Sequence, residues 1–535
     1  MEWINNGFKS VKELIESRKL SESYSQIVNL PEAAEMIRTT SLPIVIVGDY
    51  DVDGIMASVI LSMTLERMNK KHRVRLPKRL AEGYGLSIKI IEECNEPEAL
   101  IITVDNGIAA VDAIKLAKKR GYEVIVTDHH QPQSEIPPAD IIVDPHYTGG
   151  EYVDFCGAGI ALMLAEELLG KGKANFLYPF AAAATIADVV PLTGDNRRIC
   201  RAAKKQTLPE GLELLKVKMG VDPLHSTEED DKFSTNPAIN ASSRILDDAY
   251  LAFRLFTTRN ADEREELADK LVAANAVRKE QSAIVLQKAE HIIEEECMFG
   301  DCPLVLNIPD VNLGIIGIVA GKLAEEYNVP TIVVTKNNDI LKGSCRVPNT
   351  IEEYNIKKEL EKVSDLLLSF GGHKMAAGLS FKEDNLDKVR AAMQKSIVIP
   401  EKVGHYDFTI KADEVPDTVD EIEAYGPYGP GNDIPIVRVE DIKICPRYGK
   451  THQFMGTTTP AVKIFGNGIS LIYFGIDASE FTTEDTGSLA CYGQLCMNWF
   501  NGRCEPQIIL SDKPEKKAIR KTSLAERLAA RAKMI

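Results

Sequence analysis

Apolar runs alternate with amphipathic stretches along most of the first half of the chain. Residues 1 to about 40 show helical spacing of apolar positions, and a different pattern begins at Pro43. Four apolar runs predict buried strands: PIVIV (43–47), ALIITV (99–104), EVIVT (123–127) and DIIVD (140–144). The intervening and following stretches predict helices over 57–70, 109–121, 157–170 and 174–189. This alternation predicts an α/β fold with a doubly wound parallel sheet.

The second half of the chain changes pattern twice. An uninterrupted charged, apolar-periodic stretch over 260–296 predicts one long helix, and a second α/β unit follows with PLVLNI, GIIGIVAGKLAEEY and PTIVVT. From about residue 405, closely spaced short apolar runs predict a small β-barrel of OB type or a β-sandwich. The predicted organisation is an N-terminal helical segment (1–40), a first α/β domain (41–259), a connecting helix (260–296), a second α/β domain (297–400), a β domain (401–512) and a basic amphipathic tail (513–535).

Composition and charge narrow the class of protein. The 535 residues are 44% hydrophobic and 27% charged, which is typical of a globular protein. No apolar run reaches the ~18–20 residues that span a bilayer, and the first residues have no signal-peptide core, so we expect a cytoplasmic protein. The ten cysteines form no CxxC pair and are interpreted as reduced thiols. The net charge of -16 argues against broad coating of duplex nucleic acid but leaves room for a local basic groove.

Acidic side chains and histidines follow three of the predicted strands. The first strand leads to Asp49, Asp51 and Asp53, the second to Asp105, and the third to Asp128, His129 and His130. A single acid at a strand end usually caps the next helix. Three such groups at successive strand ends indicate a site instead, because ligands of open parallel sheets lie beyond the carboxyl ends of the strands.

This combination of residue types favours hard divalent cations. Clustered carboxylates repel one another, and a cation relieves the repulsion. Carboxylates with one imidazole suit Mn²⁺ or Mg²⁺ better than zinc, and two ions ~3.5–4 Å apart are a common frame for phosphate-ester hydrolysis. His129 is then placed to bind metal, and His130 to touch the phosphate or protonate the leaving group. Asp188, in the apolar segment IADVVPL, is a further metal-ligand candidate, or else ends a helix.

Three further polar groups are candidates for holding phosphate. NPAINASSRIL offers Asn240 and Arg244, and GSCRV offers Arg346, whose guanidinium could clamp a phosphate. SFGGHKMAAG offers Gly371 and Gly372, whose backbone N–H groups could cradle an anion, with His373 beside them. Taken alone, a GGH segment is usually a turn, and a single arginine usually lies on the solvated surface.

The motifs, taken in order, resemble those of the DHH phosphoesterase superfamily. They are GDYDVDG, VDNG, TDHH, ADVVPLTGDNR and GGHKMAAG. Within that superfamily the chain resembles the RecJ family of single-strand-specific exonucleases over roughly residues 40–512. The segments that carry this narrower resemblance are RLAEGYGLS, NPAINASSRIL, GIIGIVAGKLAEEYNVPTIVV, YGPYGPGNDIP and NWFNGRCEPQIIL.

The resemblance implies a fold and a set of site residues. The first α/β domain would be the DHH domain, joined by the long helix to a smaller DHH-associated domain, with an OB-like β-barrel after it. Two divalent ions would be held by Asp51, Asp53, Asp105, His129 and Asp188, with Asp49 as a further ligand and Asp105 between the ions. His130 would contact the scissile phosphate. Arg244, Arg346 and His373 would hold DNA phosphates in the cleft between the two α/β domains.

The resemblance also implies an activity. It is processive hydrolysis of single-stranded DNA from the 5′ end to mononucleotides, in recombination and repair. We expect a monomer whose protein partners are single-strand-binding protein and a helicase. Two alternatives are a DHH phosphodiesterase acting on short oligonucleotides or cyclic dinucleotides, and a non-catalytic replication scaffold. The chain departs from the family at Ser242 and Ser243, where alanine and glycine are common, and in GSCRVP, where GSARS is usual.

Overall fold

The chain folds into two compact units, each built from separate stretches of sequence. The structure, a computed structural model, describes residues 2–298, 300–351, 353–394, 403–447, 449–455, 461–474, 488–500 and 503–511. One unit contains residues 2–23, 191–197 and those from 403 onward, and the other contains 24–190 and 198–394. The N-terminal elements are β1 (Trp3–Asn5), α1 (Val11–Ser17) and α2 (Leu30–Thr39).

A five-stranded parallel sheet lies at the centre of the first α/β domain. Its strands are β2 (Ile44–Val47), β3 (His72–Arg75), β4 (Leu100–Val104), β5 (Glu123–Thr127) and β6 (Ile141–Val143), in the spatial order β3-β2-β4-β5-β6. The crossovers carry α3 (Val52–Arg67), α4 (Ile88–Glu92) and α5 (Val111–Lys119). The predicted parallel sheet is confirmed, and because β2, β4 and β5 are neighbours, their carboxyl ends meet at one edge.

Helices complete this domain and lead to the next. They are α6 (Pro145–Thr148), α7 (Gly157–Leu169), α8 (Tyr178–Ala187), α9 (Gly194–Ala203), α10 (Glu210–Lys218), α11 (Glu228–Asp230), α12 (Asn236–Ile245), α13 (Tyr250–Thr257) and α14 (Ala261–Glu295). The 35 residues of α14 span ~52 Å. Its N-terminus is capped by the Asn260 side chain, which accepts hydrogen bonds from the N–H groups of Asp262 and Glu263.

A second, mixed sheet forms the smaller α/β domain. Its elements are β7 (Leu304–Asn307), α15 (Leu313–Tyr327), β8 (Thr331–Asn337), β9 (Ile340–Arg346), α16 (Ile356–Glu361), β10 (Ser369–Gly372), β11 (Ala376–Lys382) and α17 (Leu386–Met393). The strand order is β10-β11-β9-β8-β7, in which β7 and β8 are parallel and the other pairs are antiparallel. The α14 helix packs on α15, so the long helix joins the two domains as predicted.

The C-terminal β domain is one seven-stranded sheet with a helix. The elements are β12 (Gly404–Tyr406), β13 (Phe408–Lys411), α18 (Val415–Ala424), β14 (Ile436–Lys443), β15 (His452–Met455), β16 (Ala461–Phe465), β17 (Ser470–Phe474), β18 (Ser488–Phe500) and β19 (Arg503–Leu510). The order β13-β14-β18-β19-β17-β16-β15 ends at β13 and β15. The end of β14 also pairs with the end of β16, through the Ile444–Gly466 bridge and a hydrogen bond from the Cys445 N–H to the Phe465 carbonyl. The described strands therefore curve back on themselves as in the predicted OB-type domain, and they do not form the alternative sandwich of two sheets.

The N-terminal residues differ from the separate helical segment predicted over 1–40. Strand β1 pairs in parallel with β12, and Trp3 stacks on Tyr492 with ring centroids 4.3 Å apart. Val11, Leu14 and Ile15 lie in the core of the β domain, whereas α2 belongs to the other unit. The physical reason is that a seven-residue helix is not stable alone and must bury its apolar face against another element.

Two sequence predictions concern parts of the chain outside these elements. The basic tail predicted over 513–535 lies outside the described residues. Among the helices that are described, none combines the length and apolar composition needed to cross a bilayer.

Candidate active site

Carboxylates from neighbouring strand ends lie together at the carboxyl edge of the parallel sheet. Asp51 caps α3, accepting a hydrogen bond from the Gly54 N–H at 3.2 Å, and Asp53 lies in the first turn of that helix. Asp105 directly follows β4, and His129 lies two residues beyond β5. The side-chain oxygens and nitrogens fall into three groups whose atoms lie within 4.8 Å of one another: Asp49, Asp51 and Asp105; Asp53, His129 and Asp188; and Asp105, His129 and His130. We call Asp49, Asp51, Asp53, Asp105 and Asp188 with His129 the carboxylate cluster; it contains all six predicted metal ligands.

The backbone positions two members of the cluster closely. The N–H groups of Gly157 and Ala158, at the start of α7, donate to the Asp53 carboxylate at 2.6 and 2.7 Å, an arrangement that the helix dipole favours. Asp105 has a φ of 62°, and its carbonyl oxygen accepts a hydrogen bond from Tyr84 Oη at 2.6 Å. A Cβ at Gly157 would lie 2.4 Å from that of Asp105, so only glycine allows this approach.

Burial makes the cluster electrostatically unfavourable without a cation. Asp49, Asp53 and Asp105 are 1–3% exposed. Burial raises the pKa of each, with repulsion from Asp51 adding to it, and burial together with Asp53 and Asp51 raises the pKa of Asp188 to about 8. Such carboxylates cannot all be ionised together at low cost, and a divalent cation would remove that cost.

Free oxygen atoms in the cluster also fit a cation. Among the described residues, Asp49 Oδ2 and Asp105 Oδ1 are buried and accept no hydrogen bond. Nε2 of His129 lies 3.1 Å from Asp105 Oδ1, but the two atoms are not aligned for a hydrogen bond. Burial lowers the pKa of His129 and favours the neutral imidazole, which is the form that binds metal. Oxygen ligands with one neutral imidazole suit a hard divalent ion.

His130 is oriented by a residue to which sequence reasoning assigned no role. Its Nδ1 lies 2.7 Å from Asp128 Oδ1, and Asp128 also accepts hydrogen bonds from the N–H groups of His129, His130 and Ile108. Burial opposes charging of His130, but the hydrogen bond and the charge of Asp128 outweigh it and raise its pKa to about 9. His130 is therefore held as a cation beside the carboxylate cluster. The signal in the sequence was the position of Asp128, directly before the two histidines.

Three arginines lie near one another beside α15. Arg244 donates from Nη1 to the Gly314 carbonyl at 3.2 Å, and Arg346 donates from Nη1 to Ser344 Oγ at 3.0 Å. Burial lowers the pKa of Arg244 to about 9, with Arg79 and Arg346 adding to the effect. We call Arg79, Arg244 and Arg346 the arginine cluster. Within the described part of the chain none of the three forms an ion pair.

Arg79 was missed by the sequence reasoning. Its guanidinium lies over the Tyr50 ring, 4.6 Å from the centroid, and its charge acts on both Arg244 and Arg346. The only available signal was its place at the start of RLAEGYGLS.

The glycine pair predicted to cradle an anion also has a structural role in a β-hairpin. Gly371 and Gly372 end β10, and a Cβ at Gly372 (φ 139°) would lie 2.4 Å from the Ala376 carbonyl oxygen. The N–H group of His373 donates to that same Ala376 oxygen at 2.7 Å, so this N–H group is already used within the hairpin. Burial lowers the pKa of His373, and the charge of His130 lowers it further, which indicates that the two imidazoles lie near each other.

Asn240, the other polar candidate beside Arg244, has a buried Oδ1 atom without a hydrogen-bond partner among the described residues.

Comparison with known proteins identifies the family. The models that match are the DHH family N-terminal domain over residues 43–190, the DHHA1 domain over 301–398 and the RecJ OB domain over 406–512. The chain is 32% identical over 408 residues to the single-stranded-DNA-specific exonuclease RecJ of Haemophilus influenzae, covering 70% of each chain. The chain belongs to the RecJ family.

Other RecJ proteins are similar over most of this chain. It is 30% identical over 511 residues to the single-stranded-DNA-specific exonuclease RecJ of Bacillus subtilis, covering 91% of this chain and 63% of that protein. The chain thus spans less than two thirds of the length of that relative. It is also similar to the crystal structure of RecJ from Thermus thermophilus in complex with Mn²⁺, with a TM-score of 0.75 and 26% identity, covering 92% of this chain and 72% of that one.

The matched RecJ segments divide the candidate site unequally. Every member of the carboxylate cluster lies within residues 43–190, and Arg346 and His373 lie within 301–398. Arg244 lies in neither matched segment, because α12 and the long helix α14 fall between them. The OB domain predicted from the short strands is confirmed by its own family model.

Proposed function

We propose that this RecJ-family chain is a metal-dependent exonuclease that hydrolyses single-stranded DNA from its 5′ end to mononucleotides, in DNA recombination and repair. The observation that carries the proposal is the buried carboxylate cluster, with its unsatisfied oxygens, beside a cationic His130 and an arginine cluster that has no ion-pair partner among the described residues. The relatives named as single-stranded-DNA-specific exonucleases support the substrate and the reaction.

The carboxylate cluster would hold two divalent ions, Mn²⁺ or Mg²⁺, and the Thermus relative's complex with Mn²⁺ supports this assignment. When bound, such ions supply positive charge for the phosphate and lower the pKa of water. Asp105, whose oxygens belong to two of the three groups, would be shared between the ions. His130, oriented by Asp128, would contact the scissile phosphate and give its Nε2 proton toward the leaving oxygen.

Phosphate groups of the strand would be held on the other side of the same cleft. Arg244 and Arg346 offer guanidinium forks that suit phosphate oxygens. His373 would add a donor beside His130, and the backbone N–H groups of Gly371 and Gly372 would help to cradle the phosphate at the end of β10. These residues complete the proposed substrate-phosphate site.

The OB domain would help to hold the single strand. Trp499, Phe454 and Phe474 are 41%, 39% and 50% exposed, so aromatic surface is available on the β domain for base stacking. The domain boundaries at 40, 259, 296, 400 and 512, the monomeric state, the cytoplasmic location and contacts with single-strand-binding protein and a helicase stay predictions.

A nuclease assay with Mn²⁺ tests the proposal. The substrates are a 5′-blocked single strand, a 3′-blocked single strand, a matched duplex and a dinucleotide. We expect the 3′-blocked strand to be degraded while the 5′-blocked strand and the duplex survive. Cleavage of the dinucleotide with survival of long strands would instead identify a small-substrate phosphodiesterase, and no cleavage of any substrate would favour the non-catalytic scaffold.

A further inference from the structure

Several partly buried arginines in this protein have a carboxylate partner. Arg75, 18% exposed, lies 2.9 Å from both Glu82 and Glu93. Arg264, 15% exposed, lies 2.6 Å from Glu210. Arg278, in the middle of α14, is half-buried and has no carboxylate within ion-pair distance among the described residues. Because a partly desolvated guanidinium without an anion is costly, Arg278 differs from these structural arginines.

The side chain of Arg278 is held in one orientation by its own helix. Its Nε donates to Oδ1 of Asn275 at 2.9 Å, and Asn275 is 2% exposed. This bond uses the side-facing nitrogen and leaves both terminal nitrogens without a partner in the described part of the chain. A guanidinium fixed through Nε presents a two-pronged donor, which matches the oxygens of a phosphate.

Arg278 lies next to the arginine cluster. The α14 helix packs on α12, which carries Arg244, and the charge of Arg278 is among those that lower the pKa of Arg244. The α12 helix also packs on α3, which Asp51 caps, whereas α14 has no comparable contact with α3 among the described residues. Arg278 is therefore placed on the side of α12 that is more remote from the carboxylate cluster.

Several buried polar atoms on α14 and α12, near Arg278, lack hydrogen-bond partners among the described residues. One turn along α14, Gln281 Oε1 and Ser282 Oγ are buried and lack hydrogen-bond partners among the described residues. Asn240 Oδ1 on the facing helix α12 is in the same state. Buried polar atoms in native proteins are normally paired with protein, water or ligand. Three such atoms on the facing helices that carry Arg244 and Arg278 indicate a site that is completed by a hydrated or polar ligand.

We propose that Arg278 of the long helix holds a second phosphate group of the bound single strand, farther along the strand than the phosphate proposed for Arg244 and Arg346. The inference rests on the proposed function, and it gives α14 a direct part in substrate binding in addition to joining the two α/β domains. Two successive phosphates held by one rigid helix pair would fix the path of the strand as it enters the carboxylate cluster.

The test measures binding of short oligothymidylates, with and without a 5′-phosphate, by fluorescence anisotropy in EDTA over a range of salt concentrations. The variants are Arg278→Gln, Arg278→Lys and, as a matched control, Lys279→Gln, which removes a charge from the exposed neighbouring position. We expect Arg278→Gln to bind both oligonucleotides about tenfold more weakly. We also expect the slope of log K against log salt to fall by about 0.7, the value for one phosphate contact to a single strand.

The remaining outcomes separate the alternatives. Arg278→Lys should keep the salt slope while losing part of the affinity, and Lys279→Gln should match the wild type. An unchanged slope in Arg278→Gln, or an equal loss in Lys279→Gln, would overturn the proposal. A loss confined to the 5′-phosphorylated strand would overturn the second phosphate, because it would place Arg278 at the terminal one. A wild type that does not bind single strands at all would refute the proposed function instead.

Discussion

The carboxylate cluster and the arginine cluster carry opposite charges within one α/β unit, and they are assembled differently. Five of the six carboxylate-cluster residues follow the ends of three neighbouring strands of a single sheet. Arg79, Arg244 and Arg346 come from a loop, from α12 and from the end of β9. The first site is set by strand order, and the second exists only when helices and two sheets have packed together.

The two clusters also respond differently to crowding of like charges. Burial raises the pKa of the buried carboxyl groups, so protonation can relieve their repulsion. An arginine remains charged at neutral pH even where burial lowers its pKa to about 9, as in Arg244. Protonation can therefore relieve part of the repulsion within the carboxylate cluster, whereas the arginine cluster stays positive at neutral pH.

The largest expected effect comes from substitution of Asp105, the carboxylate that belongs to two of the three groups of possible metal ligands. Asp105→Asn removes a charged oxygen ligand and should lower kcat by about a thousandfold or more. The metal-free variant should melt at a higher temperature than the wild type, because one of several repelling buried carboxylates becomes neutral. Asp112→Asn, the same change at an exposed position of α5, is the control. Activity near that of the wild type in Asp105→Asn would contradict the site.

A backbone change tests whether close packing positions the cluster. Gly157→Ala places a Cβ 2.4 Å from that of Asp105 and must displace it. We expect kcat to fall about a hundredfold, as small misplacements of reacting groups do. Gly172→Ala, which meets nothing within 4 Å, should have wild-type kinetics. Equal kinetics in the two variants would show that Asp105 tolerates the displacement.

A substitution of Asp128 tests how the orientation of His130 affects activity, without removing a member of the carboxylate cluster. Asp128→Asn keeps the size of the side chain but weakens its hold on the His130 imidazole. We expect kcat to fall about 10–100-fold with KM unchanged. In a His130→Ala background the same substitution should have little further effect, because both changes remove one function. Additive losses in the double variant would show that Asp128 acts through another residue.

The smallest expected effect is in the arginine cluster. Arg79→Gln should raise KM about tenfold with kcat nearly unchanged, because it removes a phosphate contact and leaves the carboxylate cluster intact. Lys78→Gln, an exposed neighbouring charge, is the control. Steady-state kinetics on a single strand decide the outcome. A loss in kcat with unchanged KM would mean that Arg79 acts at the carboxylate cluster, and the distinction between the two clusters would fail.

The difference in assembly explains what could be predicted. The strands β2, β4 and β5 were predicted to within one residue because each is a continuous apolar run that ends in an acid. The sequence reasoning missed the short strand β3 between β2 and β4 in the chain, and the predicted grouping of the acids holds because β3 takes the outer position beside β2. The start of α3 was predicted too late: the helix begins at Val52 rather than near residue 57, because Asp51 and Asp53, typical of a loop, serve as its cap and first turn.

Features that depend on distant segments could not be predicted in the same way. The role of Arg79 depends on its proximity to Arg244 and Arg346, which lie more than 160 residues away in sequence. No local sequence pattern predicts that proximity. The same holds for residues 2–23, whose apolar positions indicated a helix but not its partner. The hairpin role of the glycine pair at 371 and 372 could not be predicted separately from anion binding, because a hairpin turn and an anion cradle favour the same residues.

The pairing of Trp3 with Gly404 has a consequence for synthesis of the protein. A ribosome adding about 5–20 residues per second needs roughly 20–80 s to reach the partner of the first strand. During that interval Val11, Leu14 and Ile15 have no core to enter, since their core is made of residues after 403. The nascent chain therefore carries an apolar N-terminal segment without its partner until both α/β domains have been synthesised.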